Sequence, residues 1–241
     1  MDLTQMIQNS KAEQINESDY KGEDDLWYCG VCHKPKQKRI DSPFIKATVW
    51  CICDCKAKEL EDQRKKEQHE EEMRSISRLK EASMMSSKYR NVTFSLYYLR
   101  EENQKAFNAA QIYVRDFKKM ITEGHPKTGE KNVGLIFYGQ PGTGKSFTAA
   151  CIANALLEQN VSVIMTSFVK ILQDIQGNAD EVEYIRVLNG CDLLIIDDLG
   201  AERNTDYALE KVYNIIDGRV RTNKPMILTT NLSFQEMMTN S

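Results

Sequence analysis

Short apolar runs alternate with longer mixed segments over the second half of the chain. Each run is nearly continuous and bounded by polar or turn residues, a pattern typical of parallel strands covered by helices on both faces. The alternation of these runs with helical segments predicts a parallel α/β sheet. The predicted strands are residues 133–138, 161–166, 193–197 and 226–230, and the predicted helices are residues 104–123, 145–159, 168–176 and 205–222.

The first third of the chain has a different pattern. Residues 1–55 hold a group of cysteines and both tryptophans, with little helical periodicity. Residues 56–86 mix both charges without glycine or proline, which favours an exposed helix. Apolar positions there are too irregular for a heptad coiled coil, so this helix is either a solvated spacer or a partner-binding element. We expect three parts: a small module at 1–55, a charged linking helix at 56–88 and an α/β core at 89–241.

Composition favours a globular protein outside the membrane. The 241 residues, 41% of them hydrophobic, allow one sizeable core and a small accessory module. No stretch approaches the roughly 18 to 20 apolar residues of a spanning helix, and the polar N-terminus lacks the regions of a secretory signal. We therefore expect a cytoplasmic protein whose clustered cysteines indicate a metal rather than disulfides. The net charge of −3 gives no global attraction to nucleic acid.

A glycine-rich sequence, GQPGTGKS at 139–146, connects the first predicted strand of the core to a predicted helix. Its glycines allow a tight turn that points backbone N–H groups inward, and the start of the helix adds positive potential. Lys145 can then reach the β and γ phosphates of a nucleotide, and Ser146 can offer its hydroxyl to Mg²⁺. All fixed positions of G-x-x-x-x-G-K-[ST] are present, so we expect a nucleotide phosphate site.

Polar side chains end two later strands of the predicted sheet. Asp197 would lie on the magnesium side of the phosphates, and Asp198 would lie where an attacking water could be polarised. Asn231 follows the run MILTT and could hydrogen-bond the γ phosphate or that water. Such residues also serve as caps or turn formers. Together with the phosphate loop, they favour nucleotide chemistry.

Five cysteines near the N-terminus form two short groups. The groups are Cys29 and Cys32, and then Cys51, Cys53 and Cys55. Four thiolates in two such groups match a tetrahedral structural zinc site, which can supply much of the folding energy of a small module. Five cysteines and His33 compete for four places, so the spacing alone leaves the ligand set open. Buried reduced cysteines without a metal are the alternative. Cys151 and Cys191 are isolated in apolar segments, which indicates packed core thiols.

Three stretches together resemble a known family: GQPGTGKS, LLIIDDLGAER and EKVYNIIDGRVRTNKPMILTTNL. They are similar to the AAA+ ATPases of the bacterial and phage replicative helicase loaders, the DnaC and DnaI type, and to the related transposition ATPases of the IstB type. The resemblance covers about residue 89 to the end. It implies an α/β fold with an AAA+ P-loop parallel sheet and flanking helices, preceded by the zinc-binding module and linking helix, and an enzyme that hydrolyses ATP.

The resemblance also implies roles for individual residues. The expected catalytic residues are Lys145, Asp197, Asp198 and the sensor 1 residue Asn231, and the expected magnesium ligands are Ser146 and Asp197. The expected nucleotide-binding residues are Gly139, Pro141, Gly142, Thr143, Gly144, Lys145, Ser146, Phe147, Tyr89 and Arg90. The last two are candidate base contacts because SSKYRNVTF resembles the segment that closes over the adenine. Where many relatives carry Asp-Glu, this chain has two aspartates, and the second carboxylate is therefore shorter.

The resemblance also implies which cysteines bind zinc. Helicase loaders of this type often carry Cys-x-Cys just before the linking helix. On that basis the expected zinc ligands are Cys29, Cys32, Cys53 and Cys55, with Cys51 or His33 as alternates. The neighbouring basic residues Lys34, Lys36, Lys38 and Arg39 could hold nucleic acid, although most such runs are simply solvated.

The sequence departs from the family at its end. Relatives continue past sensor 1 into an arginine-finger segment and a fifth strand, in strand order 5-1-4-3-2, whereas this sequence stops ten residues after Asn231. We therefore expect a truncated core whose phosphate-loop strand has an unpaired edge. Nucleotide binding is then a firmer expectation than sustained hydrolysis. The remaining candidate nucleotide or interface arginines are Arg203, Arg219 and Arg221.

Three functions follow from the resemblance. In relatives with this layout the N-terminal part binds the replicative helicase, and the ATPase core contacts single-stranded DNA and neighbouring copies. We therefore favour a helicase loader with ATP or ADP, Mg²⁺ and Zn²⁺ as cofactors. Its expected partners are a hexameric replicative helicase, single-stranded DNA and copies of itself through the ATPase core, without a membrane. The alternatives are a transposition ATPase that binds DNA and stimulates a transposase, and a nucleotide-binding adaptor without hydrolysis.

Overall fold

The computed structural model describes residues 15–43, 46–177, 180–200 and 206–239. The chain divides into two compact units, Met1–Glu71 and Glu72–Ser241, and the boundary falls inside one long helix. Among the helices of the described ranges, none combines the length and the apolar character needed to cross a bilayer.

Two short antiparallel hairpins form the strands of the first unit. They pair β1 (Tyr20–Lys21) with β2 (Trp27–Tyr28), and β3 (Gln37–Asp41) with β4 (Lys46–Trp50). The sequence pattern did not predict these strands, because most of their residues are polar and exposed. Within the described part of this unit, the buried residues are Cys29, Lys36 and Cys53. The hairpins therefore enclose no apolar core among these residues.

The charged helix, α1, spans Asp54–Ala82 and has no buried residue. Its charges pair along the helix, as in the contact of 2.6 Å between Lys65 and Glu61. It begins near the predicted position and ends at Ala82 rather than at residue 88. The hydroxyl of Ser83 donates to the carbonyl of Lys80 at 2.7 Å, and Met84 then adopts a φ of 55°. This left-handed residue turns the backbone away from the helical path.

The second unit contains a four-stranded parallel sheet in the order β5-β8-β7-β6. The strands are β5 (Leu135–Tyr138), β6 (Val163–Ser167), β7 (Leu193–Leu199) and β8 (Met226–Thr230). The predicted parallel α/β sheet is confirmed. Its order agrees with the expected family order for these four strands, and β5, which leads into the phosphate loop, is an edge strand within the described sheet.

Helices cover both faces of this sheet. They are α2 (Gln104–Glu123), α3 (Lys145–Leu157), α4 (Phe168–Gly177), α5 (Glu181–Gly190), α6 (Asp206–Arg221) and α7 (Phe234–Thr239). Alternate residues of the central strand β7 enter different apolar clusters: Ile195 packs with α2 and α3, whereas Leu194 packs with α4, α5 and α6. The period of two along a strand therefore explains why β7 is apolar on both faces and carries its polar residues only at its end.

Candidate functional site

The phosphate loop joins β5 to α3. Gly139, Gly142 and Gly144 have φ values of 127°, 83° and 88°, a region that residues with a Cβ rarely adopt. A Cβ built on any of these glycines would meet no atom within 4 Å. The loop therefore leaves open space beside the first residue of α3, where the positive end of the helix favours an anion. A phosphate group fits this space and this chemistry.

Lys145 connects the loop to the end of β8. Its ammonium group donates to the carbonyls of Gly139 and Gln140 at 2.8 and 2.9 Å, and to Oδ1 of Asn231 at 2.9 Å. The amide of Asn231 in turn donates to Oδ1 of Asp198 at 3.3 Å. Three predicted site residues from three separate elements are thus linked by direct polar contacts.

The two aspartates at the end of β7 are positioned by one buried threonine on β8, Thr229. Its hydroxyl donates to Oδ1 of Asp197 at 2.6 Å and accepts the N–H of Asp198 at 2.9 Å. Asp198 has a φ of 56°, and the pairing of β7 with β8 shifts register between Ile196 and Leu199. Aspartate tolerates this left-handed conformation better than most residues. Thr229 stands at the polar end of the run MILTT, but the sequence analysis assigned a role only to Asn231 after it.

A cleft of about 310 Å³ lies in front of the phosphate loop. It is lined by Tyr89, Pro141, Gly142, Gly144, Lys145, Ser146, Phe147, Asp198 and Asn231, all of them residues expected at the site from the sequence. The structure does not bring Arg90 into this cleft. Its Nε donates to the carbonyl of Met85 at 3.3 Å, and its side chain lines a separate, smaller cleft.

A second cleft, of about 500 Å³, adjoins the same loop. Besides loop residues and Phe147, it is lined by Leu96, Tyr97, Tyr98, Arg100, Glu102 and Asn103. The ring of Tyr97 packs against Phe147 with centroids 5.8 Å apart, and its hydroxyl lies 2.7 Å from that of Thr148 on α3. This aromatic wall was not predicted, although the run LYYLR carries the signal. It offers a planar base a surface beside the phosphate loop.

The segment before the core is fixed to α3 by Asn154, a buried residue. Its side-chain amide donates to the carbonyls of Tyr89 and Val92, each at 2.8 Å. Because α3 starts at the phosphate loop, these two bonds set the position of Tyr89 relative to the loop. Asn154 was also absent from the predicted site.

The prediction that Arg219 contacts nucleotide or an interface is wrong, because the side chain is fully buried. Its guanidinium donates to backbone carbonyls of Asn189, Cys191, Asp192 and Pro225. These carbonyls lie in the residues just before β7 and β8, at the end of the strands opposite the phosphate loop. Burial lowers the pKa of Arg219. Arg221 is exposed and pairs with Asp217 at 2.7 Å. Arg203 lies outside the described residues.

Four thiols of the first unit come together in one group. The Sγ atoms of Cys29, Cys32, Cys53 and Cys55 all lie within 4.8 Å of one another. Cys55 Sγ is 3.4 Å from Cys29 Sγ and 3.3 Å from Cys53 Sγ. Tetrahedral zinc with Zn–S bonds of about 2.3 Å separates its sulfur ligands by roughly 3.8 Å. The four thiols therefore match zinc in donor type, number and spacing.

The pKa values of two thiols in this group are shifted in opposite directions. Backbone N–H groups of Cys32 and Val31 lower the pKa of Cys29 to about 6. Hydrogen bonds with the thiols of Cys53, Cys29 and Cys32 raise the pKa of Cys55 to about 12. Deprotonating all four thiols would concentrate negative charge, and a bound divalent cation would offset that charge.

The two alternate ligands lie outside this group. Cys51 Sγ contacts the carbonyl of Pro35 at 3.4 Å. His33 Nδ1 lies 3.2 Å from the hydroxyl of Tyr20. The structure therefore gathers the four cysteines that the family resemblance favoured and directs both alternates to other partners.

Asp19 holds the first cysteine turn, and the sequence analysis missed it. Its carboxylate accepts the N–H of Gly30 at 3.1 Å and the ammonium of Lys36 at 2.5 Å. Its side chain is 1% exposed and that of Lys36 is 11% exposed. Because Lys36 is buried and paired, it does not contribute a free charge to the expected basic run.

Comparisons with known proteins agree with this architecture. Residues 59–240 match the family model described as IstB-like ATP binding protein. The chain is 29% identical over 155 residues to the replicative helicase loader DnaC of Escherichia coli strain K12, covering 62% of this chain and 59% of that protein. It is 28% identical over 200 residues to the phage-like element PBSX protein XkdC of Bacillus subtilis strain 168, covering 79% and 67%. The match thus spans about three fifths of the length of DnaC.

Solved structures show the same fold. A crystal structure of DnaI is 25% identical with a TM-score of 0.51, over 64% of this chain and 76% of that one. A crystal structure of the DnaC helicase loader is 24% identical with a TM-score of 0.52, over 64% and 85%, and supports the fold alone. The chain therefore belongs to the family of IstB-like ATP-binding proteins, and its core has the fold of the DnaC and DnaI structures.

Proposed function

We propose that this chain binds ATP and delivers a replicative DNA helicase onto single-stranded DNA, with ATP binding and hydrolysis as the switch. The observation that carries the proposal is the contact of Lys145 with Asn231 and of Asn231 with Asp198 beside an open phosphate loop. The similarity to replicative helicase loaders supports the choice of partner.

The proposed nucleotide site assigns a task to each side chain. Lys145 exchanges its hydrogen bonds to the loop carbonyls for hydrogen bonds to the β and γ phosphates, since a charged acceptor makes the stronger hydrogen bond. Asn231 then directs its amide at the γ phosphate or the attacking water, and Asp198 accepts a proton from that water. Ser146 and Asp197 provide the oxygen ligands that Mg²⁺ prefers, and bound Mg²⁺ would neutralise phosphate charge.

The base is proposed to bind in the aromatic cleft rather than between Tyr89 and Arg90. Tyr97 and Phe147 provide ring faces there, and Thr148 holds Tyr97 in place. Stacking of a nucleobase on an aromatic side chain stabilises binding by about 1 to 3 kcal/mol. Tyr89 instead lines the phosphate cleft.

The module at 1–55 is proposed to bind zinc through the four thiols and to grip the helicase, with residues 56–88 as the link to a core at 89–241. Each cysteine turn presents an apolar side chain to solvent: Val31 is 72% exposed and Ile52 is 63% exposed. Exposed apolar groups held on a rigid turn are suited to protein contacts. Zinc bound beneath them would fix their spacing.

Native mass spectrometry tests the whole proposal. The chain would be measured alone and with the replicative helicase of its own host, with and without a zinc chelator and with ATP and Mg²⁺. One zinc per chain, bound ATP, and a helicase complex lost on chelation are the expected results. Loss of ATP binding in Lys145→Ala, with zinc content unchanged, would locate the nucleotide. Absence of ATP binding by the unmodified chain would disprove the nucleotide site.

A second candidate is a transposition ATPase, because the matching family model describes IstB-like proteins. The same experiment separates the two functions. Bound zinc and ATP without any helicase complex, together with stimulation of a transposase on duplex DNA, would favour this candidate over the loader.

A further inference from the structure

We propose that Thr229 is a positioning residue for magnesium, because it holds the carboxylate of Asp197 in the orientation that binds the Mg²⁺ accompanying the nucleotide. The inference rests on the proposed ATP site and adds a residue that acts through Asp197 instead of contacting the nucleotide. Thr229 lies on β8, two positions before Asn231, and is fully buried.

The strand β7 bulges where its two aspartates lie. Ile196 pairs with Leu228 of β8. The next pair joins Leu199 to Thr230, three residues further along β7 but only two further along β8. An extra residue of this kind breaks the regular alternation of a strand and re-aims side chains, often beside an active site. The backbone pairing alone therefore does not fix where the two aspartates point.

The hydroxyl of Thr229 bonds to both aspartates of the bulge. It donates to Oδ1 of Asp197 at 2.6 Å, a length typical of a hydroxyl that donates to an ionised carboxylate. It also accepts the N–H of the left-handed residue Asp198 at 2.9 Å. The first bond holds the Asp197 carboxylate through Oδ1, and Oδ2 is the oxygen that the proposed metal site uses.

Thr229 is itself held between two neighbouring strands. It pairs with Phe137 of β5 on one side, and β8 pairs with β7 on the other. Asp197 is held in turn by its pairing with Ser167 of β6. Because a β-branched side chain is also restricted at χ1, the hydroxyl has little freedom to move. A metal ligand oriented in advance in this way loses less freedom when the metal binds.

The donor atoms at this edge of the sheet match magnesium. Asp198 and Ser146 line the phosphate cleft, and Asp197 is the sequence neighbour of Asp198. Carboxylate and hydroxyl oxygens are ligands of Mg²⁺, which demands a nearly ideal octahedral geometry. A rotated Asp197 carboxylate would therefore bind the metal less tightly. Loss of a partner that orients a metal ligand typically weakens metal affinity by about 10- to 100-fold.

The test measures metal affinity, with Mn²⁺ as a spectroscopic substitute for Mg²⁺. Electron paramagnetic resonance would give the Kd of Mn²⁺ for the chain saturated with a non-hydrolysable ATP analogue. Calorimetry would give the Kd of the analogue without a divalent metal. We expect Thr229→Val, which replaces the hydroxyl by a methyl group, to weaken Mn²⁺ binding at least about tenfold and metal-free binding of the analogue less than about twofold. Thr229→Ser keeps the hydroxyl and should bind Mn²⁺ within about threefold of the unmodified chain.

Thr230 provides a matched control, because it is also buried and its hydroxyl also donates one bond and accepts another. It donates to the carbonyl of Leu199 at 2.6 Å and accepts the N–H of Leu232 at 3.1 Å. We expect Thr230→Val to unfold at a lower denaturant concentration, as Thr229→Val does, but to keep its Mn²⁺ affinity. Equal weakening of Mn²⁺ binding in the two variants would show that Thr229 only stabilises the strand.

Removal of Asp197 tests whether Thr229 acts through it. Asp197→Ala should weaken Mn²⁺ binding, and adding Thr229→Val to it should cause no further loss, because the two residues form one interacting pair. Full additivity of the two losses would overturn the inference.

The remaining outcomes separate this inference from the proposed function. Unchanged Mn²⁺ affinity in Thr229→Val, with the analogue still bound, would overturn the inference and leave the proposed function standing. Failure of the unmodified chain to bind the analogue would overturn both. If Thr229→Val does not fold, Thr229→Ser and Thr229→Ala, which share the lost methyl group, make the same comparison with and without the hydroxyl.

Discussion

The two units of the chain are stabilised by different means. The second unit buries apolar side chains on both faces of its sheet, in two clusters that include large residues such as Phe117 and Phe168. In the described part of the first unit, only two thiols and Lys36 are buried. A core of this kind is far too small to offset the loss of chain entropy, so the first unit needs another source of stability.

The two candidate sites differ in how far they are formed before a ligand binds. The phosphate cleft is formed by loops at the ends of strands that are packed whether or not a ligand binds. The four thiols instead belong to turns held by a few polar bonds, such as those from Gly30 and Lys36 to Asp19. We therefore expect the metal to order its own site, whereas the nucleotide binds a site that is already built.

The strongest way to test the comparison is to remove a thiol from the group of four. Structural zinc supplies on the order of 10 kcal/mol of folding free energy in small domains. We expect Cys53→Ser to abolish zinc binding and disorder the first unit, while ATP affinity stays within about twofold, because the phosphate cleft is lined by residues of the second unit. Native mass spectrometry, amide hydrogen exchange and nucleotide titration would measure the three quantities.

Cys51→Ser is the matched control for that experiment. Cys51 lies beside the group and contacts the carbonyl of Pro35 instead, a contact that a serine hydroxyl can replace. We expect Cys51→Ser to bind as much zinc as the unmodified chain and to keep the same protection of its amides from hydrogen exchange. Zinc loss in Cys51→Ser but not in Cys53→Ser would show that the ligand set is wrong.

The next substitution acts on the second unit and leaves the thiols of the first unit unchanged. Arg219→Met removes a buried guanidinium and leaves the carbonyls of Asn189, Cys191, Asp192 and Pro225 without this donor. A buried acceptor left without its donor costs about 1 to 3 kcal/mol, and here several carbonyls lose the same donor. We expect the core to unfold at lower denaturant concentration with its zinc content unchanged. Arg221→Ala should leave the midpoint unchanged, and a similar loss in both variants would contradict the structural role of Arg219.

The core was predictable from sequence because its strands are apolar on both faces. All four predicted strands overlap the observed ones, and the phosphate loop follows β5 as expected. The end of β7 shows the limit of this approach. Its register shift carries the strand through Asp198 to Leu199, where the N–H of Asp198 bonds to the hydroxyl of Thr229 on a neighbouring strand rather than to a residue near it in sequence.

Features that depend on distant partners were not predictable. The helix α5 was missed because its sequence, EVEYIRVLNG, mixes charged and apolar residues and buries only Leu188. Asn154 bonds to residues 62 and 65 positions earlier, and three of the four carbonyls bound by Arg219 lie 27 to 30 positions earlier. No local pattern marks such residues as buried, because an arginine or asparagine on a helix is more often solvated.

A smaller perturbation of the first unit acts at Gly30. A Cβ on this residue would lie 2.0 Å from the carbonyl oxygen of Ser18, so the first cysteine turn must shift. Strain of this kind costs about 1 to 3 kcal/mol. We expect Gly30→Ala to retain zinc but to lose it to a chelator at a concentration about tenfold lower. Gly177→Ala offers an open position for comparison, and equal chelator resistance in both variants would show that the turn adapts freely.

An effect of comparable size is expected in the segment that joins the linking helix to the core. Asn154→Ala removes two hydrogen bonds and leaves the carbonyls of Tyr89 and Val92 without their donor, at a cost of about 2 kcal/mol. For a domain of this size that corresponds to a Tm lower by roughly 4 to 8 °C. Because Tyr89 lines the phosphate cleft and loses its anchor, ATP affinity should also fall, as measured by calorimetry. Asn108→Ala, on the exposed face of α2, should change neither quantity, and an intact ATP affinity in Asn154→Ala would show that Tyr89 holds its position without these bonds.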